Sequence, residues 1–239
     1  VWNNKNVNEA LNNVSNLGFV PTMCSLHNGH LSLIKKSKSQ CKKTIVSIFI
    51  NPTQFNKSSD FKKYPRNIKK DLSILKINKI DFLYMPKSQQ IYKSKRAKKI
   101  QILKKNKILC AKFRSGHFEG VLDVMDRLVR SIKPSKIYMG EKDLQQLLFV
   151  KNYLKKKYKS KIVPCKTIRN PKKLALSSRN LLLKKKELIT ASNLIKKLIT
   201  LKKNLRNKRN INDILNKKKN ELSRLFNIKI EYLELRNRY

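Results

Sequence analysis

The chain has 239 residues, of which 58 are Lys or Arg and 14 are Asp or Glu, so its formal net charge is +44. This length predicts one large domain or two modest ones. No apolar run approaches the roughly 20 residues that a membrane span needs, and the first residues lack the pattern of a signal peptide, so we expect a soluble, unprocessed protein without a membrane partner.

The cysteines give information about the cellular compartment, and the lysines about possible nucleic-acid partners. The four cysteines, Cys24, Cys41, Cys110 and Cys165, form no C-x-x-C pair, which excludes a zinc ribbon or a disulfide framework and favours a cytoplasmic protein. Lysine is spread over nearly every polar stretch, often beside Asn and Ile, and no nucleic-acid-binding motif accompanies it. We therefore expect nonspecific binding to polyanions but no specific nucleic-acid partner.

The first two thirds of the chain alternate apolar, β-branched runs with runs of helical periodicity. Strands are predicted at residues 17–20, 44–50, 81–86, 136–140 and 161–168. Helices are predicted at residues 31–41, 67–80, 121–132 and 144–154. This alternation is typical of an α/β protein with a parallel sheet and right-handed crossovers.

The pattern changes after Pro171. Two lysine-rich amphipathic helices are predicted near residues 184–205 and 211–226, followed by a single strand at residues 228–235. We place a domain boundary near residue 168. It divides the chain into an α/β domain, residues 1–167, and a small α+β domain, residues 168–239.

Four segments avoid the general excess of lysine, namely residues 17–34, 44–56, 137–150 and 174–183. Together with residues 114–121 they contain all the glycines and histidines of the chain, which are Gly18, Gly29, Gly116, Gly120, Gly140, His27, His30 and His117. Core packing would concentrate Leu and Ile in such segments but not Gly and His, so we favour a functional site. The alternative is that Gly18, Gly116 and Gly120 only form turns.

The motif H-x-G-H directly follows the first predicted strand. His27 and His30 are three residues apart at a predicted helix start, so both face the same way, and Gly29 between them would let a phosphate approach the backbone. Ligands of open parallel sheets bind at the carboxyl ends of the strands, where a helix N-terminus offers free N–H groups to a phosphate. The motif predicts a nucleotide site, although a lone histidine is more often a core residue.

Two further segments offer groups that suit phosphates. After Gly140, Lys142 provides a cation and Asp143 a carboxylate, which suit a phosphate and a ribose hydroxyl. The Ser177-Ser178-Arg179-Asn180 segment offers two hydroxyls and a guanidinium, donors that can follow charge moving onto a departing pyrophosphate. Taken alone, this second segment would usually be a helix N-cap.

Neutral amides and one carboxylate complete the candidate site. Asn51, Gln54 and Gln146 lie among apolar residues and suit the hydroxyl and carboxylate groups of a small polar substrate. The alternatives are turn formation for Asn51, which precedes Pro52, and surface exposure for Gln146. Asp71 is a candidate Mg²⁺ ligand, although helix solubility explains it nearly as well.

The order of these motifs resembles that of the pantoate–β-alanine ligase family, within the H-x-G-H nucleotidyltransferase superfamily. The match runs colinearly from Gly18 to about Arg236. It consists of FVPTM..LH.GH.SLI, VSIF.NP.QF, YPR, GHF.GV, GEKD.QQL, LA.SSRN and YLELR. Each motif is common by itself, but the ordered set is highly specific.

The resemblance implies a fold and a reaction. The fold is a Rossmann-like parallel-sheet domain with a small C-terminal lid, usually in a homodimer. The substrates are ATP with Mg²⁺, pantoate and β-alanine. Pantoate's carboxylate attacks the α-phosphate of ATP and releases pyrophosphate, and β-alanine's amine then displaces AMP from pantoyl adenylate. No residue needs to become covalently attached.

The resemblance also implies roles for single residues. The catalytic residues would be His30, as proton donor or stabiliser of negative charge, with His27, Lys142 and Arg179. The ATP site would consist of Met23, Cys24, Ser25, Leu26, His27, Asn28, Gly29, His30, Gly140, Glu141, Lys142, Asp143, Ile168, Leu176, Ser177, Ser178 and Arg179. The other substrates would contact Gln54, Gln146, Asn51, Pro21 and Val121.

Three departures from the family pattern stand out. Cys24 occupies a position where the family usually has glycine, and Lys172-Lys173 replace the usual Asp-Gly. The sequence ends at Tyr239, where the family continues with further strands, so we expect a shortened lid. Two alternatives stay open, namely a related adenylate-forming nucleotidyltransferase with another acid substrate, and a non-catalytic copy or basic polyanion binder.

Overall fold

A five-stranded parallel sheet organises the part of the chain that this computed structural model describes, residues 4–93, 100–205 and 209–236. In chain order the strands are β1 Leu17–Thr22, β2 Lys43–Ile48, β3 Phe82–Tyr84, β4 Lys136–Gly140 and β5 Lys161–Cys165. Their order across the sheet is β3-β2-β1-β4-β5, and every neighbouring pair is parallel. This is the predicted α/β architecture with a Rossmann-like sheet.

The strand order reverses at β1. The chain leaves β1 towards β2 and β3 on one side and later returns to pair β4 on the other, with Gly18 opposite Lys136 and Phe19 opposite Ile137. In open α/β sheets the crevice outside the carboxyl ends of the strands at such a reversal is where ligands bind. The fold therefore predicts a ligand site at the carboxyl ends of β1 and β4.

Helices cover both faces of the sheet and complete the C-terminal part. They are α1 Asn4–Leu11, α2 Asn28–Gln40, α3 Ser58–Lys63, α4 Ile68–Ile77, α5 Ser88–Ile91, α6 Cys110–Phe113, α7 His117–Ile132, α8 Leu144–Lys155, α9 Lys185–Asn204 and α10 Ile211–Phe226. Short 3-10 turns occupy Pro52–Gln54, Lys104–Asn106, Glu141–Asp143 and Ser178–Leu182. No helix of the described residues is long and apolar enough to cross a membrane.

The core has two layers because side chains alternate along the central strands. Phe19 of β1 packs with α1, α7 and α8 on one face, while its neighbour Val20 packs with α2 and α4 on the other. Eleven residues of the amphipathic helix α7 are buried. Strands buried on both faces read as continuous apolar runs, which is why β1 and β2 were recognisable in the sequence.

The predicted strands and helices of the first 168 residues are confirmed, as are the two helices that follow. The predicted strand at residues 228–235 is wrong, because the described residues from 228 to 236 form no strand. That segment packs through side chains instead, and Tyr232 stacks on Phe113. Alternating apolar residues form a strand only where a partner strand accepts their backbone hydrogen bonds.

Candidate active site

A cleft of about 450 Å³ opens at the carboxyl ends of β1, β2 and β4. Most of the residues predicted from the sequence line it, namely Pro21, Met23, His27, Gly29, His30, Asn51, Gln54, Val121, Gly140, Lys142, Asp143, Gln146, Ile168, Leu176, Ser177, Ser178 and Arg179. The other predicted ATP-site residues, Cys24, Ser25, Leu26, Asn28 and Glu141, belong to the same turns without lining the cleft. The sequence prediction thus converges on one cavity.

The two histidines of the H-x-G-H motif cap helix α2. His27 is the N-cap residue, and its Nδ1 atom accepts a hydrogen bond from the backbone N–H of Gly29 at 3.1 Å. The Nδ1 atom of His30 accepts from the backbone N–H of His27 at 3.3 Å. Because Nδ1 is an acceptor in both rings, the proton of each neutral imidazole lies on Nε2. Both residues line the cleft, where an Nε2–H group suits an anionic ligand.

Both imidazoles are neutral at physiological pH. Burial, with the neighbouring His27 and Lys142, lowers the pKa of His30 to about 3. Burial and Lys142 also lower the pKa of His27 below its ordinary value. Protonation would place another positive charge beside Lys142 in a partly dehydrated cleft, so the neutral form is favoured.

The position of the His27 ring explains why residue 29 is a glycine. A Cβ atom at position 29 would lie 2.8 Å from Cε1 and 2.9 Å from Nδ1 of His27. The imidazole ring folds over residue 29 to reach its N–H group, which leaves no space for a side chain. The sequence suggested that Gly29 makes room for a phosphate, and the structure supplies this second reason for glycine.

The turn that carries Cys24, Ser25 and Leu26, which we call the nucleotide turn after the site predicted there, is held by Asp71 of α4. The carboxylate accepts hydrogen bonds from the backbone N–H groups of Ser25 and Leu26, both at 2.7 Å, and from the Cys24 thiol at 3.1 Å. Asp71 is 1% exposed. Because its two oxygens are engaged inside the protein, the structure favours a role for Asp71 in fixing this turn over the predicted role as a magnesium ligand.

Two cations of the cleft are paired with carboxylates. Lys142 lies 3.1 Å from Asp143, within the 3-10 turn that follows β4. Arg179 lies 2.9 Å from Asp60 of α3, and its guanidinium stands 5.2 Å from the ring centroid of Tyr64. These pairs are partly exposed, so solvent screens them and each contributes little to stability. Both cations line the cleft and are available to an anionic ligand.

The two serines before Arg179 both form hydrogen bonds with the backbone. Ser177 caps the 3-10 turn that follows it, as its side chain accepts from the backbone N–H of Arg179 at 3.3 Å. Ser178 is buried, and its hydroxyl donates to the carbonyl groups of Cys24 and Ser25 at 3.2 and 3.0 Å. The N-cap alternative therefore applies to Ser177, and Ser178 connects the C-terminal part of the chain to the nucleotide turn.

The amide of Gln54 lines the cleft and is held by neighbouring groups. The Nε2 atom of Gln54 lies 2.9 Å from the sulfur of Met23, and its Oε1 atom lies 3.2 Å from Nδ2 of Asn51. The backbone carbonyl of Gln54 is held by Nδ1 of His117 at 2.6 Å. Asn51 is 1% exposed and its hydrogen bonds go to protein groups, so the structure places it behind Gln54.

Gly120 of α7 lies against the turn that carries Gln54. A Cβ atom at position 120 would lie 2.4 Å from the carbonyl oxygen of Thr53 and 3.0 Å from the backbone nitrogen of Gln54. Glycine is required there because the helix and the turn approach backbone to backbone. The alternative that Gly120 only forms a turn is wrong, since it lies inside α7.

Several residues that line the cleft were not assigned from the sequence. Arg114, His117, Cys110 and Tyr232 line the same cleft. Burial, and then the nearby Arg179, lowers the pKa of Arg114 below its ordinary value. The only signal for Arg114 and His117 was their place in a segment rich in glycine and histidine. Tyr232 and Cys110 are joined by a 2.8 Å hydrogen bond between segments 122 residues apart, which no local pattern predicts.

Comparisons with known proteins agree with this geometry. The profile of the family described as pantoate-beta-alanine ligase matches residues 2–239. A pantothenate synthetase of Thermosipho africanus is 36% identical over 231 residues, which are 95% of this chain and 82% of that protein. A pantothenate synthetase of Francisella tularensis subsp. novicida is 46% identical over 166 residues, which are 69% of this chain and 64% of that relative.

Solved structures agree as well. A crystal structure of pantoate-beta-alanine ligase from Francisella tularensis, in complex with beta-gamma ATP and beta-alanine, superimposes with a TM-score of 0.87. It is 36% identical, and the match covers 99% of this chain and 89% of that one. A pantothenate synthetase from Thermus thermophilus has a TM-score of 0.85 at 30% identity, with 94% and 82% of the two chains covered.

The reversal of strand order at β1, with H-x-G-H at the start of the next helix, defines a nucleotidyltransferase of the H-x-G-H class. Fold alone does not decide the chemistry within this class. The match along nearly the whole chain does: the chain belongs to the pantoate–β-alanine ligase family.

Proposed function

We propose that this chain condenses pantoate with β-alanine at the expense of ATP, through a pantoyl-adenylate intermediate, and releases AMP and pyrophosphate. The observation that carries the proposal is a single cleft lined both by cationic and N–H donor groups, namely two neutral Nε2–H imidazoles, Lys142 and Arg179, and by the neutral amides of Gln54 and Gln146. A triphosphate and a small hydroxy acid need these two kinds of surface side by side.

The first step joins the substrate carboxylate to the α-phosphorus of ATP. A carboxylate oxygen forms the new P–O bond, and the bond between the α-phosphorus and the bridging oxygen breaks, so its electron pair leaves with pyrophosphate. Negative charge grows on the phosphate oxygens during this step. His27, His30 and Lys142 line the cleft where that charge would develop, and their N–H groups stabilise it without moving a proton.

The low pKa of His30 favours hydrogen bonding over proton transfer. An imidazole with a pKa of about 3 carries one proton, on Nε2, at physiological pH. Giving up that proton would leave an imidazolate, which is far too basic to form here. Of the two roles that the sequence left open, we therefore assign His30 the stabilisation of negative charge.

The second step forms the amide bond. The amine of β-alanine attacks the acyl carbon of the adenylate, the C–O bond to the phosphate breaks, and AMP leaves as an anion. Adenylation is needed because a free carboxylate has no good leaving group. The structure of the Francisella tularensis relative, which contains beta-gamma ATP and beta-alanine, supports these ligands for the present cleft.

The part of the chain that the structure describes offers no evident set of protein ligands for magnesium. Among the described residues no group of three or more His, Cys, Asp or Glu side chains could hold a metal ion. Asp71, the residue predicted for this role, is buried and engaged with the nucleotide turn. We therefore assign no protein residue to the ion.

The assembly and the location remain predictions of the family resemblance. We infer a homodimer and a cytoplasmic enzyme, with a domain boundary near residue 168. The four cysteines are free thiols, as a reducing compartment would keep them. Light scattering of the purified chain at several concentrations tests the dimer.

The decisive experiment is isotope exchange between ATP and pyrophosphate. The proposal expects exchange that requires pantoate and does not require β-alanine, because the adenylate forms before the amine enters. Pantothenate should then appear when β-alanine is added. Exchange that depends on another hydroxy acid would assign a different acid substrate, and no exchange with any acid of a panel would refute the adenylation proposal.

A further inference from the structure

A hydrogen-bond chain runs behind Gln54 to Tyr92, the residue that follows helix α5. The Tyr92 hydroxyl donates to Oδ1 of Asn51 at 2.6 Å. Asn51 in turn lies 3.2 Å from the side-chain oxygen of Gln54, which lines the cleft. Tyr92 itself does not line the cleft, so any influence on a ligand passes through Asn51.

The partners of Asn51 fix the orientation of its amide. Its Oδ1 atom accepts from the Tyr92 hydroxyl and from both N and Oγ1 of Thr53, at 3.2 and 2.9 Å. Its Nδ2 atom donates to Oε1 of Gln54 and to the carbonyl oxygen of Gly120, the latter at 3.1 Å. A backbone N–H can only donate and a carbonyl can only accept, so a flipped amide would lose its partners on both sides.

The orientation of Asn51 determines what Gln54 offers. Because Oε1 of Gln54 receives a proton from Asn51, the NH₂ group must point the other way, where it meets the sulfur of Met23 at 2.9 Å and the cleft. An NH₂ group attracts a carboxylate or hydroxyl oxygen of a substrate. In the opposite orientation Gln54 would turn a carbonyl oxygen towards the same anion and repel it.

Tyr92 is held in place by helix α7. The guanidinium of Arg127 stands 5.0 Å from the centroid of the Tyr92 ring and donates to the carbonyl of Ile91 at 3.0 Å. Asp123, four residues earlier, pairs with Arg127 at 3.0 Å. The Tyr92 hydroxyl is thus a fixed donor, and its partner Asn51 belongs to the turn that carries Gln54.

We propose that Tyr92 is a positioning residue for the acid substrate: together with Thr53 and Gly120 it holds Asn51, and through Asn51 the Gln54 amide, so that NH₂ faces the substrate's oxygens. The proposal rests on the proposed function for the identity of that acid. The hydrogen bonds of Tyr92 lead through Asn51 to Gln54, whereas those of His27, His30 and Lys142 go to other groups. Loss of the hydroxyl should therefore affect one substrate and not the other.

The test is the variant Tyr92→Phe, compared with Tyr153→Phe. Tyr153 on α8 pairs with Lys157 at the surface and lies outside the cleft, so it controls for loss of a tyrosine hydroxyl. In pantoate-dependent ATP–pyrophosphate exchange, Tyr92→Phe should raise the KM for pantoate about fivefold, the factor for one net hydrogen bond. The KM for ATP should stay within about twofold, and Tyr153→Phe should change neither constant.

A double-mutant cycle distinguishes positioning from a general loss of stability. If Tyr92 acts through the Gln54 amide, Tyr92→Phe should have no further effect on the KM for pantoate once Gln54→Ala is present. Equal effects of Tyr92→Phe with and without Gln54→Ala would overturn the proposal. So would an unchanged KM for pantoate in Tyr92→Phe itself.

A readout without catalysis keeps this inference separate from the proposed function. In nitrogen-15 spectra, the side-chain NH₂ signals of Gln54 are identified by their loss in Gln54→Ala. They should shift in Tyr92→Phe and stay in place in Tyr153→Phe, whatever acid the enzyme uses. Inactivity of the wild-type chain with pantoate would refute the proposed function, whereas unmoved Gln54 signals in Tyr92→Phe would refute the positioning role.

Discussion

The Cys24 thiol donates a hydrogen bond to the Asp71 carboxylate, with 3.1 Å between Sγ and Oδ2. Burial and the adjacent carboxylate raise the pKa of Cys24, so the thiol keeps its proton and remains a donor. The family usually has glycine at this position, yet the left-handed backbone falls on the next residue, Ser25, with φ of 54°. Cys24 therefore occupies an ordinary backbone conformation, and its side chain gains a partner.

Replacement of Asp71 should destabilise the protein without changing its requirement for magnesium. In Asp71→Asn one carboxylate oxygen becomes an NH₂ group facing a backbone N–H of residue 25 or 26, which leaves a buried donor without an acceptor. We expect the free energy of unfolding to fall by about 2 to 3 kcal/mol. Urea denaturation measures this loss.

Two comparisons accompany that measurement. Cys24→Ser keeps a hydrogen-bond donor beside Asp71 and should cost less than about 1 kcal/mol. The magnesium concentration for half-maximal activity should be the same in folded Asp71→Asn as in the wild-type chain. A large increase in that concentration would restore Asp71 as a metal ligand and contradict the structure.

His30→Ala should lower the rate of adenylation by a factor on the order of 10² or more, because it removes a donor directed at transition-state charge. His30→Gln retains an N–H group near the position of Nε2 and should lose much less. Single-turnover release of pyrophosphate measures both rates. Equal losses in the two variants would indicate that proton transfer by the imidazole is required.

Lys142→Ala should also slow adenylation by a factor on the order of 10² or more. Lys142 lines the cleft with the two histidines, and its ion pair with Asp143 is screened by solvent. Asp143→Asn keeps the ammonium group and is the matched control for loss of the ion pair. Pyrophosphate release at a near wild-type rate in Lys142→Ala would remove this residue from the catalytic group.

The local parts of the site could be predicted from the sequence. The strand before H-x-G-H, the helix after it and the position of Lys142 beyond β4 are encoded in contiguous segments, where periodicity and turn residues carry the information. For the same reason His27, His30 and Lys142 meet at one end of the sheet. Parallel strands bring their carboxyl ends together whatever lies between them.

Contacts between distant segments could not be predicted in this way. Asp71 lies on a helix whose lysines resemble those of any solvated helix, and only packing reveals that it meets the turn 45 residues earlier. Tyr92 belongs to no recognisable pattern, and Arg114 was marked only by its place in a segment rich in glycine and histidine. Residues 228–235 have the alternation of a strand, but they pack without one, because pairing depends on a partner that the segment itself does not encode.

Acid should destabilise the protein through its buried histidines. The pKa of His30 is about 3 in the folded chain, below the ordinary value of 6.5. Below pH 6.5 the unfolded chain therefore binds a proton that the folded chain does not, and stability falls as the pH decreases towards 3. Between about pH 7 and pH 5 we expect His30 to account for a loss of about 2 kcal/mol.

Urea denaturation at these two pH values measures the loss in the wild-type chain and in His30→Gln. The variant has no titrating group at this position, so the difference between its stabilities at the two pH values should be smaller. His27 and His117, whose pKa values are also lowered by burial, remain in both proteins and cancel in the comparison. An identical pH dependence in the two proteins would contradict the low pKa of His30.

A turn at residues 170–173 precedes the Ser177-Ser178-Arg179 segment. The backbone N–H of Lys173 donates to the carbonyl of Asn170 at 2.9 Å, which closes a β-turn with Pro171 at its second position. Lys173 itself has φ of 70°, in the left-handed region where glycine is favoured. The family usually has glycine here, so this lysine carries backbone strain that its relatives avoid.

Lys173→Gly should therefore raise the free energy of unfolding by about 0.5 to 1 kcal/mol, the relief of the strain less the added freedom of the unfolded chain. Lys172→Gly is the matched control, since Lys172 is also exposed and has no positive φ, so the same change there should be destabilising by a similar amount. Urea denaturation of both variants shows whether each change raises or lowers the free energy of unfolding. Because each variant removes one positive charge, opposite signs can only come from the backbone, and a loss of stability in both would mean that Lys173 is not strained.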